Sequence, residues 1–202
     1  MKIILASKSK VRKELMDKLN IPYDIIVSNA DESFKASYSC YEDQLKDISL
    51  RKAETVFNTN LGDCFIIGSD FMSICGYDLD NNGHILGNIY GKPHSEEDAI
   101  SYLKDFRGGL CTCLCATSII VYKNGKKEIF QDVNHSVLSI DNLSDSFIAK
   151  YVKNPVVYTV AGGFNPTLDI CNFVHFYSGD SSTSTGLHME FVEKILKKYN
   201  LL

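Results

Sequence analysis

Asp70 is the residue whose setting most strongly suggests chemistry. It follows the apolar run 64–67 and the pair Gly68-Ser69. An apolar run that ends in Gly-Ser-Asp predicts a buried strand that stops in a turn and presents a carboxylate there. Ligands of open α/β sheets bind beyond the carboxyl ends of the strands, which suits Asp70 to a metal ion, a water molecule or a hydroxyl. Alternatively, Asp70 caps the next element, because Asp is common in turns.

A second acidic group, Asp31-Glu32, follows the predicted strand 23–27. Adjacent carboxylates at the end of a strand are candidate ligands for Mg²⁺, which takes oxygen ligands and commonly uses one or two carboxylates with phosphate and water. They are equally well explained as turn residues. Asp31, Glu32 and Asp70 are therefore the candidate metal ligands of this part of the chain.

Two lysines are further candidate functional residues because of where they lie in the pattern. Lys52 lies on a helix that a capping box at 39–42 opens and that apolar positions carry to about Asn58. Lys92 stands between a glycine and a proline, which restrict its backbone and suit a side chain delivered to a fixed point. In each case the alternative is an ordinary solvated lysine.

The beginning of the chain reads as strand, polar turn and helix. Ser7 and Ser9 lie in the turn, where hydroxyls, free backbone N–H groups and the positive end of a helix dipole suit a phosphate. The basic residues of this junction are Lys8, Lys10, Arg12 and Lys13. The alternative is a serine N-cap with solvated lysines.

The bulk composition indicates one ordinary globular domain. The chain has 202 residues, 45% hydrophobic and 23% charged, and no Pro/Gly/Ser-rich linker divides it, so we expect a single domain over 1–202. A net charge of -4 argues against nucleic-acid binding, and no apolar run reaches the length of about 18 residues that a membrane span needs. We expect a soluble, cytoplasmic protein.

The cysteines are expected to serve packing. Their number, 7, is odd, which argues against a complete disulfide framework. Cys111, Cys113 and Cys115 alternate with other residues in an apolar run, so on a strand all three face one side. No Cys-x-x-Cys pair or nearby histidine completes a zinc site there.

The remaining pattern alternates strands and helices. Asn124-Gly125 between β-prone runs predicts a two-residue hairpin. The other predicted elements are helices at 95–106, 142–153 and 187–199, strands at 156–160 and 173–177, and a loop at 162–166.

Taken together, these segments resemble the Maf family. The matching blocks are 5–15, Asp31-Glu32, 51–53, 67–70 and 91–93, with weaker agreement at 179–180 and 186–187. The resemblance covers essentially the whole chain, and its first half is the more specific. It implies an α/β fold similar to that of inosine triphosphate pyrophosphatases, with an elongated mixed β-sheet, flanking helices and two lobes around a central cleft.

The resemblance also implies an activity. Family members are metal-dependent nucleoside triphosphate pyrophosphatases that release a monophosphate and pyrophosphate, and relatives are often dimers. Asp70 matches the catalytic Asp and Glu32 its acidic partner, so the resemblance implies that these two carboxylates are the metal ligands. The polar and cationic positions around the phosphates match Ser7, Arg12, Lys52 and Lys92. The implied partners are therefore a nucleoside triphosphate, Mg²⁺ or Mn²⁺, and a second copy of the chain.

Several departures from the family pattern predict altered specificity. One of two arginines is missing from 9–12, Phe71 replaces a threonine, and 108–111 lacks an Arg and a His. The segment 158–166 lacks a Lys, and Asn165 replaces a Gln, which makes Asn165 a candidate substrate contact.

Two functions from different classes fit these residues. The leading one is a pyrophosphatase in which Asp70 orients or deprotonates the attacking water while Lys52, Lys92 and Arg12 hold the departing pyrophosphate. The other is a catalytically impaired nucleotide-binding protein that acts as a sensor or scaffold. A P-loop or dinucleotide-binding enzyme is disfavoured because neither glycine motif is present.

Overall fold

A computed structural model of the protein describes residues 1–35, 38–57, 61–76 and 78–202. The chain divides into two compact units: the first comprises Met1–Phe71, Cys115–Asn134 and Gly186–Leu202, and the second comprises Met72–Leu114 and His135–Thr185. Parallel and antiparallel strand pairs occur in one sheet, and helices pack on its strands, which confirms the predicted mixed α/β fold. The single domain over 1–202 and the central cleft stay predictions.

Three neighbouring strands lie wholly or partly in the first unit. They are β1 (Lys2–Leu5), β2 (Asp24–Ile25) and β3 (Cys64–Cys75). β1 lies between the other two and pairs in parallel with both, with Leu5 opposite Ile67 of β3. Because β1 ends at Leu5, the next residues of β3 extend beyond the carboxyl end of β1.

The prediction that the strand stops in a turn before Asp70 is wrong, because β3 continues without interruption to Cys75. Gly68 does not lie in a turn; it lies beneath a helix. A Cβ atom on Gly68 would lie 2.2 Å from the backbone oxygen of Ser49 and 2.9 Å from the backbone nitrogen of Ala53, both on helix α2 (Tyr41–Phe57). The glycine therefore permits a helix to approach the strand closely and does not mark a turn.

Helices pack on both faces of these strands. Helices α1 (Lys10–Asp17) and α5 (Met189–Lys198) share one hydrophobic cluster with Phe65 and Ile67. Helix α2 shares the other cluster with Ile66. Since successive side chains of a strand point to opposite faces, the even-numbered positions 66, 68 and 70 lie on the face that α2 covers.

The capping box prediction is close to the observed start of α2 at Tyr41. The predicted end at about Asn58 lies outside the described residues. Strands β7 (Leu110–Lys123) and β8 (Lys126–Ile140) follow each other around Asn124-Gly125, both of which have positive φ angles, 51° and 75°. This confirms the predicted hairpin, because a two-residue turn of this type needs positive φ at both central positions.

The second unit combines short strands, helices and 3-10 turns. Its elements are β4 (Asp78–Leu79), β5 (Ile85–Leu86), β6 (Ile89–Tyr90), α3 (Glu96–Phe106), α4 (Asp145–Tyr151) and β9 (Val174–Gly179), with parts of β3, β7 and β8. β9 pairs antiparallel with β8. Ser95 and Ser144 cap α3 and α4 through hydrogen bonds to Asp98 N and Phe147 N.

The predicted strand at 156–160 is wrong, because Pro155–Thr159 forms a 3-10 helix. The side chain of Asn154 accepts a hydrogen bond from Val156 N at 3.1 Å, and Pro155 occupies the first turn. These two helix-start signals outweigh the β propensity of the Val-Val-Tyr-Thr-Val run.

All seven cysteines are free thiols. Cys111, Cys113 and Cys115 lie on β7 and are fully or almost fully buried, which agrees with the predicted packing role. No helix in the described part of the chain is long and apolar enough to cross a membrane.

Candidate active site

Lys52 lies between two carboxylates in the first unit. Its Nζ is 2.6 Å from Asp70 Oδ1 and 3.1 Å from Glu32 Oε2. The Lys52 side chain is 9% exposed and that of Asp70 15%, whereas that of Glu32 is 60% exposed. Three predicted site residues, from a helix, a strand and a loop, therefore meet, and Lys52 does not lie on a solvated helix face.

The position of Lys52 follows from how α2 is held. Gly68 allows the helix to lie directly on β3, one turn before Lys52. The same stretch of α2 also contacts β7 and β8: Ser49 Oγ is 2.6 Å from Ser118 Oγ of β7, and Gln131 Nε2 of β8 donates to Ser118 Oγ and to Lys46 O, each at 2.9 Å. Sequence patterns do not reveal Ser118 or Gln131, because isolated polar residues in strands carry no pattern that singles them out.

Asp31, the other member of the acidic pair, stays outside this group. Its carboxylate accepts hydrogen bonds from Ser33 N at 2.9 Å and Ser33 Oγ at 2.8 Å. These hydrogen bonds lower the pKa of Asp31. The ionised carboxylate of Asp31 therefore stabilises the turn, and Glu32 is the residue that reaches Lys52.

Arg12 and Ser7 form a second group in the first unit. Arg12 Nε donates to the Gly186 carbonyl at 2.7 Å, and Arg12 Nη1 donates to Ser7 Oγ at 3.3 Å. Ser9 Oγ accepts from Arg12 N at 3.4 Å as the N-cap of α1, so the capping alternative holds for Ser9. Lys8, Lys10 and Lys13 are exposed, and Lys13 pairs with Asp17 at 2.6 Å.

The two groups lie on opposite faces of β3. Ser69 Oγ donates to the same Gly186 carbonyl at 2.9 Å that Arg12 contacts, and to Ala116 O at 3.0 Å. Because Ser69 and Asp70 are consecutive strand residues, their side chains point to opposite faces. Both positions lie beyond Ile67, where β1 ends, so both groups border the carboxyl end of β1. Sequence analysis missed Ser69 by treating it as a turn residue.

The second unit contains Lys92 and Asn165. Lys92 is exposed before the buried Pro93. Gly162 N donates to Gly91 O at 2.9 Å, and a Cβ on Gly163 would lie 3.5 Å from Pro93 Cγ. The turn that carries Lys92 and the loop that leads to Asn165 are therefore in contact.

Asn165 forms its hydrogen bonds within its own loop. Its Oδ1 accepts from Thr167 N at 2.9 Å and from Thr167 Oγ1 at 2.7 Å, and its backbone nitrogen donates to Cys171 Sγ at 3.4 Å. The predicted substrate contacts of Lys92 and Asn165 stay predictions.

The carboxylates of Asp70 and Glu32 suit a hard divalent cation in their chemistry. Mg²⁺ binds oxygen ligands and is usually held by one or two carboxylates together with substrate phosphates and water. Within the described residues, no group of three or more His, Cys, Asp and Glu side chains is arranged to hold a metal. Asp70 and Glu32 are the residues that would hold such an ion, together with substrate phosphates and water.

The sequence model of the family described as "Maf-like protein" matches residues 2–199. The chain belongs to the Maf family. It is 34% identical to a dTTP/UTP pyrophosphatase of Clostridium beijerinckii over 81% of each chain. It is 28% identical to a 7-methyl-GTP pyrophosphatase of Colwellia psychrerythraea over 98% of this chain and 93% of the relative. The Maf membership predicted from the separated sequence blocks is thus confirmed.

Among solved structures, a nucleoside-triphosphatase (dITP/XTP pyrophosphatase) of Mycobacterium abscessus aligns with 98% of this chain and 95% of its own chain. The TM-score is 0.37 and the identity 13%. The assignment to the Maf family comes from the sequence matches.

Proposed function

We propose that the protein is a metal-dependent nucleoside triphosphate pyrophosphatase that hydrolyses the α–β phosphoanhydride. The observation that carries this proposal is the meeting of Lys52 with Asp70 and Glu32 beyond the carboxyl end of β1. The Maf membership and the pyrophosphatase names of the relatives support it.

In this proposal Asp70 acts on water. The carboxylate accepts a proton from the attacking water, the water oxygen bonds to the α-phosphorus, and the bridging oxygen leaves with pyrophosphate. Lys52, already within 2.6 Å of Asp70, fixes the carboxylate and contributes positive charge. The products are a nucleoside monophosphate and pyrophosphate.

The other predicted residues act by binding. A nucleoside triphosphate carries about four negative charges, so catalysis depends on positioning and charge neutralisation. Arg12 and Lys92 are assigned to the phosphates, with Ser7, Ser9 and Asn165 as polar contacts. Asp70 and Glu32 are assigned to Mg²⁺ or Mn²⁺, which when bound neutralises phosphate charge.

The nucleobase is left to experiment. Relatives of nearly equal similarity are named for dTTP/UTP and for 7-methyl-GTP. The test is a panel of dTTP, 7-methyl-GTP, ITP and the four common ribonucleoside triphosphates, which include UTP, each with Mg²⁺, Mn²⁺ or EDTA. Chromatography of the nucleotide product distinguishes α–β cleavage, which gives a monophosphate, from β–γ cleavage, which gives a diphosphate.

We expect metal-dependent monophosphate formation from at least one member of the panel. Activity that persists in EDTA would disprove the metal requirement. Nucleotide binding in a thermal-shift assay without any product would instead support the sensor or scaffold function. A cytoplasmic location and a homodimer remain part of the proposal; sedimentation of the full chain tests the dimer.

A further inference from the structure

Arg51, the residue next to Lys52 on α2, contacts the loop that carries Glu32. Its Nη1 donates to the Asp31 carbonyl, and its Nη2 donates to the Ser33 carbonyl at 2.8 Å. These two carbonyls flank Glu32 on either side. The Arg51 guanidinium therefore holds the backbone of this loop at Glu32, whose carboxylate reaches Lys52.

The Arg51 side chain is itself supported from the helix. Arg51 Nε is 2.9 Å from Asp47 Oδ2, one turn earlier on α2. The other oxygen of Asp47 accepts from Lys35 Nζ at 2.9 Å, which ties the far end of the same loop to the helix. The Arg51 side chain is only 19% exposed, so solvent competes weakly for these contacts.

Gln44 adds a third attachment. Its Oε1 accepts from Lys35 N at 3.0 Å, and its Nε2 donates to Lys35 O at 2.5 Å. The segment 31–35 is thus attached to α2 at its beginning by Arg51 and at its end by Gln44 and Asp47. Glu32 is 60% exposed, so the position of its carboxylate depends on how firmly its backbone is held.

We propose that Arg51 is a positioning residue that presents the Glu32 carboxylate to Lys52 by bridging the carbonyls of Asp31 and Ser33. This inference rests on the proposed function for its catalytic consequence. A guanidinium is suited to the task because its planar fork can donate in two directions at once, whereas a lysine ammonium is a point charge on a flexible stem. Arg51 does not act on the substrate; it acts through Glu32.

A double-mutant cycle tests this mechanism. If Arg51 acts only through Glu32, Arg51→Ala lowers kcat by about 10- to 100-fold in the wild-type background, the range observed when a partner that orients a ligand is removed. In a Glu32→Gln background the same change lowers kcat by less than about 2-fold, because the step it supports is already lost. Equal losses in both backgrounds would overturn the proposal.

Arg51→Lys separates geometry from charge. We expect Arg51→Lys to stay within about 3-fold of Arg51→Ala, because one ammonium does not span both carbonyls. Full activity of Arg51→Lys would overturn the bridging role. Lys46→Ala is the matched control: its ammonium lies on the same helix, pairs with Asp43 at 3.6 Å, and should leave kcat unchanged.

A measurement without substrate keeps this inference separate from the proposed function. Ser33 N donates to Asp31 Oδ1 at 2.9 Å and Lys35 N to Gln44 Oε1 at 3.0 Å, so both amides report on the loop. Amide hydrogen exchange of 31–35 should become about tenfold faster in Arg51→Ala but not in Lys46→Ala. Unchanged exchange would overturn the positioning role, whereas an inactive wild type would overturn the proposed function alone.

Discussion

The two units hold their predicted site residues by different means. In the first unit, charged side chains contact one another directly: Lys52 binds Asp70 and Glu32. In the second unit, backbone shape dominates: the loop before Asn165 turns through Gly162 and Gly163, with φ angles of 68° and 80°. A site that depends on charged groups requires particular residue types. A loop whose shape depends on its backbone tolerates changes of side chain. Of the departures from the expected family pattern, those at 9–12 and Phe71 lie in the first unit, and those at 108–111 and 158–166 lie in the second.

Replacement of the central carboxylate should have the largest effect. Asp70→Asn removes the charge that Lys52 contacts and the group assigned to accept a proton, so we expect kcat to fall by about 10³-fold. Pyrophosphate release with the best triphosphate of the panel measures it. Asp17→Asn, which removes an exposed carboxylate paired with Lys13, is the control and should retain full activity. More than a tenth of wild-type activity in Asp70→Asn would contradict the assigned role.

Gly68→Ala should break the first unit sterically. Its new Cβ would lie 2.2 Å from Ser49 O, so α2 must move off β3 or the strand must distort. We expect a loss of about 3 kcal/mol or more in the free energy of unfolding, measured by urea denaturation. In the second unit Gly91→Ala meets nothing within 4 Å and should change stability by less than about 1 kcal/mol. Similar losses for both would show that the close approach is unimportant.

Tyr151→Phe probes the backbone-held loop of the second unit. The buried Tyr151 hydroxyl donates to the Gly163 carbonyl at 3.0 Å and lies 3.1 Å from Cys171 Sγ. Removing it leaves the carbonyl without this donor, and we expect a loss of about 1–2 kcal/mol in the free energy of unfolding. Tyr177→Phe alters an exposed ring in the same unit and should have no measurable effect. Equal stability of the two variants would argue against a role for this hydroxyl.

Lowering the pH should weaken the attachment of the Glu32 loop to α2 in the first unit. The expected effect is smaller than those of the substitutions above. Burial acts to raise the pKa of Asp47, but the Lys35 hydrogen bond and the Arg51 charge outweigh it, so the net pKa lies below 3.8. A lowered folded pKa gives stability that is present above pH 3.8 and is lost as pH falls through the folded pKa. The stability difference between wild type and Asp47→Asn should therefore shrink below that pH. A difference that grows on acidification would contradict this sign.

Local signals predicted several elements correctly. The helices predicted at 95–106 and 142–153 are present as α3 and α4, capped by Ser95 and Ser144, and Asn124-Gly125 forms the predicted hairpin. These succeeded because caps and tight turns depend on residues a few positions apart. The strand predicted at 156–160 is wrong, because the helix-start residues Asn154 and Pro155 outweigh the β propensity of the β-branched residues that follow them.

By itself, the sequence determined which residue types are available for chemistry: Asp70, Glu32 and Lys52 stand in separate segments whose pattern indicates the Maf family. Only the tertiary structure decided that Lys52 is withdrawn from solvent, that β3 continues past Asp70, and that Arg51 bridges the carbonyls around Glu32. The physical reason is that these features depend on contacts between segments distant in the chain. In the sequence, a glycine that permits a turn cannot be distinguished from a glycine that permits a helix to pack closely on a strand.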